Sequence, residues 1–231
     1  MDTIPDTEFS TPFVTAQEQE YDIQEITKLS TDPTRNIFPY FSVIVAVDEK
    51  DGIGKTGKIP WNMPEDMAFF KSLTTTVTEP EKQNVVIMGR KTLESMNMRP
   101  LKSRFNICVS KTLKNEDFVH YTNMAIVGSF EDALRVAKNV NNEKIFVIGG
   151  SQLYNEAIWH GHCKEVIYNK IVGDYDCDTF LPKLNPIMFG EPIITIISEN
   201  VTSTKYTTKL YTNYLENLLK DNTINNTESN N

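Results

Sequence analysis

The 231-residue chain has only three cysteines, Cys108, Cys163 and Cys177, and no Cys-x-x-Cys pair. That odd, widely spaced set excludes a disulfide-stapled scaffold and suits reduced thiols in a cytoplasmic compartment. No apolar run approaches the ~20 residues of a bilayer-spanning helix, so no membrane partner is expected. Positive charge is in deficit as well: 23 Lys and Arg stand against 31 Asp and Glu, a net charge of -8. A nucleic-acid binder needs a basic footprint for phosphates, and that class is excluded. The first residues carry neither an apolar secretory core nor the Arg-rich, acid-poor pattern of a mitochondrial transit peptide. Internal repeats and a Gly-x-Ser-x-Gly hydrolase elbow are also missing. His160, His162 and Cys163 are too few for a metal centre and read as a helix end with a Gly stop, so no metal is expected.

What is present is unevenly placed. Residues 1–38 hold eight acids against two bases, whereas the remaining 193 residues carry 23 acids and 21 bases. An acidic leader is thus attached to a nearly neutral body. Residues 1–38 bury too little apolar surface to offset ordering entropy and read as a flexible extension, with a short helix over Ala16 to Leu29 as its one amphipathic stretch. The Asn-rich residues 217–231 read as a disordered tail. Between them, 39% hydrophobic content with 12 Phe and 9 Tyr supports one folded domain over residues 39–216.

Within that body, β-branched runs alternate with amphipathic stretches. Phe41 to Val47, Asn84 to Met88, Phe105 to Val109, Met124 to Val127, Lys144 to Ile148 and Lys164 to Ile171 read as strands, several apolar enough to be buried on both faces. Helices are expected after Pro64, over Arg90 to Met96, over Phe130 to Val140 behind a Ser129/Asp132 capping box, and over Ser151 to Trp159. Pro192 to Ser198 and Lys205 to Tyr214 read as a terminal antiparallel pair. The fold class is therefore α/β: a single mixed, mostly parallel eight-stranded sheet flanked by about four helices, with a C-terminal antiparallel hairpin.

Four constellations carry chemistry. Two strand-to-helix junctions, Met88-Gly89-Arg90-Lys91-Thr92 and Ile148-Gly149-Gly150-Ser151-Gln152, set glycine beside helix N-termini, where free N–H groups attract phosphate. Neither junction has the Rossmann glycine spacing, but Arg90 and Lys91 add cations suited to the extra ribose phosphate of NADPH. Gly52 to Gly57 places three glycines in six residues ahead of Pro60-Trp61, either a lid on a rigid edge or a hairpin turn. In Trp61-Asn62-Met63-Pro64-Glu65-Asp66-Met67-Ala68-Phe69-Phe70, helical spacing puts Asp66 on a face with Phe70 and beside Met67. A carboxylate in a Met/Phe face is expensive unless paired, although an acid in a first helical turn is also favoured by the dipole alone. Finally, Arg104 begins a strand and Ser110-Lys111 ends it.

Taken in order, these motifs resemble dihydrofolate reductase from Phe41 to Tyr214: Ile59-Pro60-Trp61-x-x-Pro64-x-Asp66, Met88-Gly89-Arg90-Lys91-Thr92, Arg99-Pro100-Leu101-x-x-Arg104, Ile148-Gly149-Gly150-x-x-x-Tyr154 and Asp178-Thr179-Phe180-x-Pro182. The resemblance implies an NADPH-dependent reductase of 7,8-dihydrofolate, with antifolates as inhibitors, a monomeric state and a cytoplasmic location. It implies Asp66 and Trp61 as catalytic residues, the acid holding the pterin and assisting protonation at N5. Ile44, Val45, Met67, Phe70, Met96, Leu101, Ile148 and Asn169 would complete the substrate site, and Arg104 would grip the substrate's α-carboxylate. Cofactor contacts would come from Ala46, from Ile53, Gly54, Lys55, Thr56, Gly57 and Lys58, and from Gly89, Arg90, Lys91 and Thr92. Ser110 and Lys111 would follow, then Gly149, Gly150, Ser151, Gln152, Leu153 and Tyr154, with a cis peptide between the two glycines. The chain departs from the family at Asn169, where Thr is usual, and at Leu93, where Trp is frequent. Relatives that fuse a C-terminal thymidylate synthase are longer than these 231 residues allow. Two rival readings are the pyrimidine reductase of riboflavin synthesis and a non-catalytic scaffold; Asp66 paired with Arg104 favours a folate substrate over both.

Overall fold

A computed structural model describes residues 38–216. The expected leader, apart from Phe38, the helix over Ala16 to Leu29, and the tail from Asn217 lie outside the described residues. Strands β1 (Phe41–Val47), β3 (Gln83–Gly89), β4 (Arg104–Val109), β5 (Met124–Val127), β6 (Asn142–Val147), β7 (Cys163–Ile171), β9 (Ile193–Ser198) and β10 (Val201–Thr207) form one sheet in the order β5-β4-β3-β6-β1-β7-β10-β9. All pairings from β5 to β7 are parallel, and β10 runs antiparallel to both β7 and β9. Two short strands, β2 (Gly52–Gly54) and β8 (Thr179–Phe180), pair separately.

The central strands lack polar alternation because both faces are covered. Val43, Val45 and Val47 of β1, with Val85 and Ile87 of β3, meet helices α3 (Phe130–Asn139) and α4 (Ser151–Ile158). Ile44, Val86 and Met88 point the other way, towards α1 (Pro64–Thr75) and α2 (Arg90–Ser95). This is the period-2 projection of a strand between two helical layers. In α3, Phe130, Ala133, Leu134 and Ala137 repeat at helical spacing and are all buried. Ser129 caps α3 by accepting from the Asp132 N–H at 3.1 Å. The expected capping box is only half made, because the Ser129 hydroxyl itself donates to the Asp132 carboxylate at 2.7 Å. No helix among the described residues is long and apolar enough to cross a membrane.

The terminal strand differs from its sequence reading. Expected over Lys205 to Tyr214, it runs from Val201 to Thr207, and residues 209–216 are helical. Thr208 makes the switch. Its hydroxyl donates to the Cys163 carbonyl at 2.7 Å and its N–H to Lys164 at 2.9 Å, while its own carbonyl accepts from Tyr211 and Thr212. Tyr211 and Tyr214 then pack on Tyr40, each at 5.0 Å between ring centroids. Thr208→Val should cost about 1–2 kcal/mol, by loss of this cap and its buried hydrogen bond. A lower urea midpoint at unchanged m-value would register that loss.

Candidate active site

Asp66 stands in the first turn of α1, which Pro64 opens at a position where no N–H is needed. Glu65 beside it is exposed, whereas Asp66 is 7% exposed, so helix-dipole preference alone does not account for it. Asn169 of β7 donates its Nδ2–H to Asp66 Oδ1 at 2.8 Å. The second Asp66 oxygen takes no hydrogen bond among the described residues. Burial raises the Asp66 pKa, and the Asn169 bond partly opposes the rise. Asn169 itself is 1% exposed, and its Oδ1 is a buried acceptor with no donor among the described residues. Trp61, buried against the edge of the Tyr175 ring at 5.3 Å, packs with Ile171 and Val201 at this end of the sheet.

An apolar cluster lies on the face of the sheet that α1 covers. Ile44 is buried, and Phe70, Met96, Leu101 and Ile148 pack half-buried on the same cluster. Val45 points to the opposite layer, among the α3/α4 contacts, so its side chain stands away from Asp66. Met67 is 56% exposed, outside the buried face it was expected to share with Phe70. Asp66, Phe70 and Thr74 form the inward row at i+4 spacing.

Arg104 is 6% exposed and has no carboxylate partner among the described residues. Its Nε donates to the Lys102 carbonyl at 3.0 Å, its Nη1 to Thr74 Oγ1 at 2.7 Å, and its guanidinium lies 5.8 Å from the Phe70 ring centroid. Desolvation lowers its pKa. The sequence reading missed Thr74, although its i+8 spacing from Asp66 and i+4 spacing from Phe70 were there to be counted.

A second region lies across the C-terminal ends of β3, β4 and β6. A cleft of about 570 Å³ is lined by Gly89, Arg90, Lys91, Ser110, Lys111, Gly150, Ser151, Gln152 and Leu153. Gly128 and Ser129 also line it. They form a third glycine-bearing strand-to-helix junction that the sequence reading treated only as a cap. The Gly89 N–H donates to the Gly149 carbonyl at 2.7 Å, and a Cβ on Gly89 would sit 3.6 Å from the Gly150 nitrogen. Gly149 has φ +129°, and a side chain there would come within 3.1 Å of the Thr92 hydroxyl. The peptide joining Gly149 to Gly150 is cis. Three helix N-termini and exposed Lys91 and Lys111 suit this cleft to a polyanion. Arg90 is paired with Glu94 one turn on, so part of its charge is already answered. Leu153 and Tyr154 are buried, and the Tyr154 hydroxyl donates to the Ile44 carbonyl at 2.9 Å, tying α4 to β1.

Ala46 is half-buried and packs on the cluster of Trp61, Ile171 and Val201, and a loop runs from Ile53 to Lys58. That loop is a hairpin: Lys55 and Lys58 exchange backbone hydrogen bonds, with Thr56 and Gly57 at positive φ. It is fastened outward through Lys55 to Asp176 at 2.6 Å and the Thr56 N–H to Asp178 at 2.7 Å.

A family model described as dihydrofolate reductase matches residues 40–213. A dihydrofolate reductase of Drosophila melanogaster is 37% identical over 154 residues, covering 65% of this chain and 83% of that protein. One from Schistosoma mansoni is 40% identical over 152 residues, covering 62% and 78% respectively. A bifunctional dihydrofolate reductase-thymidylate synthase of Daucus carota is 42% identical over 164 residues, covering 68% of this chain and 30% of that protein. The chain spans about a third of the length of the bifunctional relatives it matches.

Proposed function

The chain belongs to the dihydrofolate reductase family, and on that premise we propose that it reduces 7,8-dihydrofolate to 5,6,7,8-tetrahydrofolate with NADPH, supplying one-carbon metabolism and thymidylate synthesis. One observation carries the reading: a buried carboxylate, Asp66, held on one oxygen by Asn169 and one helical turn from Phe70 of the apolar cluster. Two acceptor oxygens match a ring nitrogen and its neighbouring exocyclic amine on a flat heterocycle. The raised pKa supports a part for Asp66 in delivering a proton to N5, relayed through water. Buried Trp61 would limit solvent around that carboxylate. Ile44, Phe70, Met96, Leu101 and Ile148 supply apolar contact for the pterin and aminobenzoyl groups, Met67 lies at the rim, and Arg104 takes the α-carboxylate.

The hydride that C6 of the pterin receives is the chemistry NADPH supplies when bound. Lys91, Lys111 and Arg90 would neutralise its phosphates, and Thr92, Ser110 and the residues from Gly149 to Tyr154 would hold them. Ala46 and the hairpin would flank the nicotinamide. The polyanion-suited donor set of the cleft supports that assignment. Flat diamino heterocycles would compete for Asp66 as antifolates. The protein acts in the cytoplasm, a reading its three free thiols suit, and as a monomer, which the family resemblance implies.

Loss of NADPH absorbance on adding dihydrofolate tests the proposal. Turnover is expected with dihydrofolate and none with a ribityl-phosphate aminopyrimidine. Absence of turnover with dihydrofolate overturns it.

A further inference from the structure

Thr74 lies two turns along α1 from Asp66 and one from Phe70, on the row of the helix that faces the sheet. It is fully buried. Its hydroxyl donates to the Phe70 carbonyl at 2.7 Å and accepts from Arg104 Nη1 at 2.7 Å. A hydroxyl has a single hydrogen. With that hydrogen committed to the helix, the lone pair offered to Arg104 has a fixed direction. The Lys102 carbonyl takes Arg104 Nε from a second side at 3.0 Å, so two anchors define the guanidinium plane. Nη2 makes no hydrogen bond among the described residues. The donors left over are those of the Nη1–Nη2 edge, which fits a carboxylate in two-pronged fashion.

The anchors are themselves held by the sheet. Buried Asn84 of β3 donates to the carbonyls of Thr74 at 3.1 Å and Thr76 at 3.0 Å, and accepts from the Lys144 N–H at 3.1 Å. On the other side, Asn106 and Asn123 each donate to the carbonyls of Leu101 and Arg104. Both ends of the Thr74–Arg104 contact are therefore fixed before any ligand arrives.

We propose that Thr74 is a positioning residue for carboxylate recognition, its hydroxyl aiming the free edge of Arg104 at the ligand. The inference rests on the reading of Arg104 as the clamp for the substrate's α-carboxylate. It concerns selection of ligands bearing an anionic tail and leaves the reduction itself alone.

The test compares kcat/KM for dihydrofolate with kcat/KM for its α-carboxamide analogue in the same enzyme preparation. The ratio does not depend on how much protein has folded. Thr74→Val should lower that ratio about tenfold, the scale of one hydrogen bond to a charged group. The fall should appear in KM with kcat little changed. Thr74→Ser should restore the ratio, and Thr74→Ala, should the valine variant fold poorly, should behave as Thr74→Val does. Arg104→Leu sets the floor. A ratio unchanged in Thr74→Val while Arg104→Leu lowers it overturns the positioning role and leaves the Arg104 reading standing. A ratio unchanged in Arg104→Leu overturns both. Equal losses in Thr74→Ser and Thr74→Val assign the effect to packing and overturn the role of the hydroxyl.

Discussion

Asp66→Asn should lower kcat/KM for dihydrofolate at pH 7 by about 10²–10⁴-fold, the usual range for losing a general acid–base group, and should at the same time stabilise the fold. The two effects share one cause. Asp66 is nine-tenths removed from solvent, and desolvation raises its pKa more than the Asn169 bond lowers it. A folded-state pKa above the unfolded one gives stability that is complete below the unfolded value and lost as pH rises through the folded value. At pH 7 the ionised carboxylate is therefore a net burden on the native state. An Asn at 66 carries no charge to desolvate, and its own amide can donate to Asn169 Oδ1, the buried acceptor left without a donor in the native protein. A reciprocal amide pair replaces a half-satisfied one. Guanidinium melts should show a higher midpoint for the variant at pH 7, and the gap should close as pH falls below the unfolded-state value of about 4, where the carboxyl becomes protonated in both folded and unfolded chains. The pH dependence of turnover that the Asp66 carboxyl imposes should vanish in the variant. Unchanged turnover, or a lower midpoint at pH 7, would falsify this account.

Much of this arrangement was legible in the sequence, and the misses have physical causes. Buried parallel strands show as unbroken apolar runs, so β1, β3, β4 and β5 came within a residue of their observed bounds. The last strand failed because Thr, Lys and Tyr fit a pleated surface as well as a helix start. The tertiary bond from Thr208 to the Cys163 carbonyl decides between them, and no local pattern reports it. Asp66 was found because a charge beside apolar residues is conspicuous, and Arg104, which follows a polar stretch, only because its motif resembles the family's. Thr74 and Asn84 were not, since a buried Thr and a buried Asn look like ordinary helix and strand residues until their partners are known. Val45 and Met67 had been placed on the site by likeness to a motif. Side-chain projection, two residues per strand repeat, puts Val45 in the opposite core layer, and Met67 is 56% exposed.

Arg104→Leu should raise KM for dihydrofolate ~30-fold or more, the equivalent of about 2 kcal/mol of charge-assisted hydrogen bonding. Affinity for NADPH, measured by isothermal titration calorimetry, should stay within about twofold, because the two sites are electrically separate. Arg104 opens β4 and Val109 closes it, next to the Ser110 and Lys111 of the phosphate-suited cleft. Five residue steps of extended chain put roughly 17 Å between them. A charge at that range is screened across a Debye length of about 8 Å at physiological salt. The protein's net charge of -8 would disfavour an anionic substrate if it acted as a whole. A guanidinium held in the interior without a counter-charge acts locally instead: its desolvation is offset when a carboxylate enters, so the empty site favours ligands that bring one. Salt should therefore weaken the tail contact less than it would a surface ion pair. KM for dihydrofolate in the unmodified enzyme should rise only modestly from low to physiological ionic strength, and the α-carboxamide analogue should show no such rise. A steep salt dependence shared by both substrates, or a fall in NADPH affinity equal to the rise in KM, would remove Arg104 from this role.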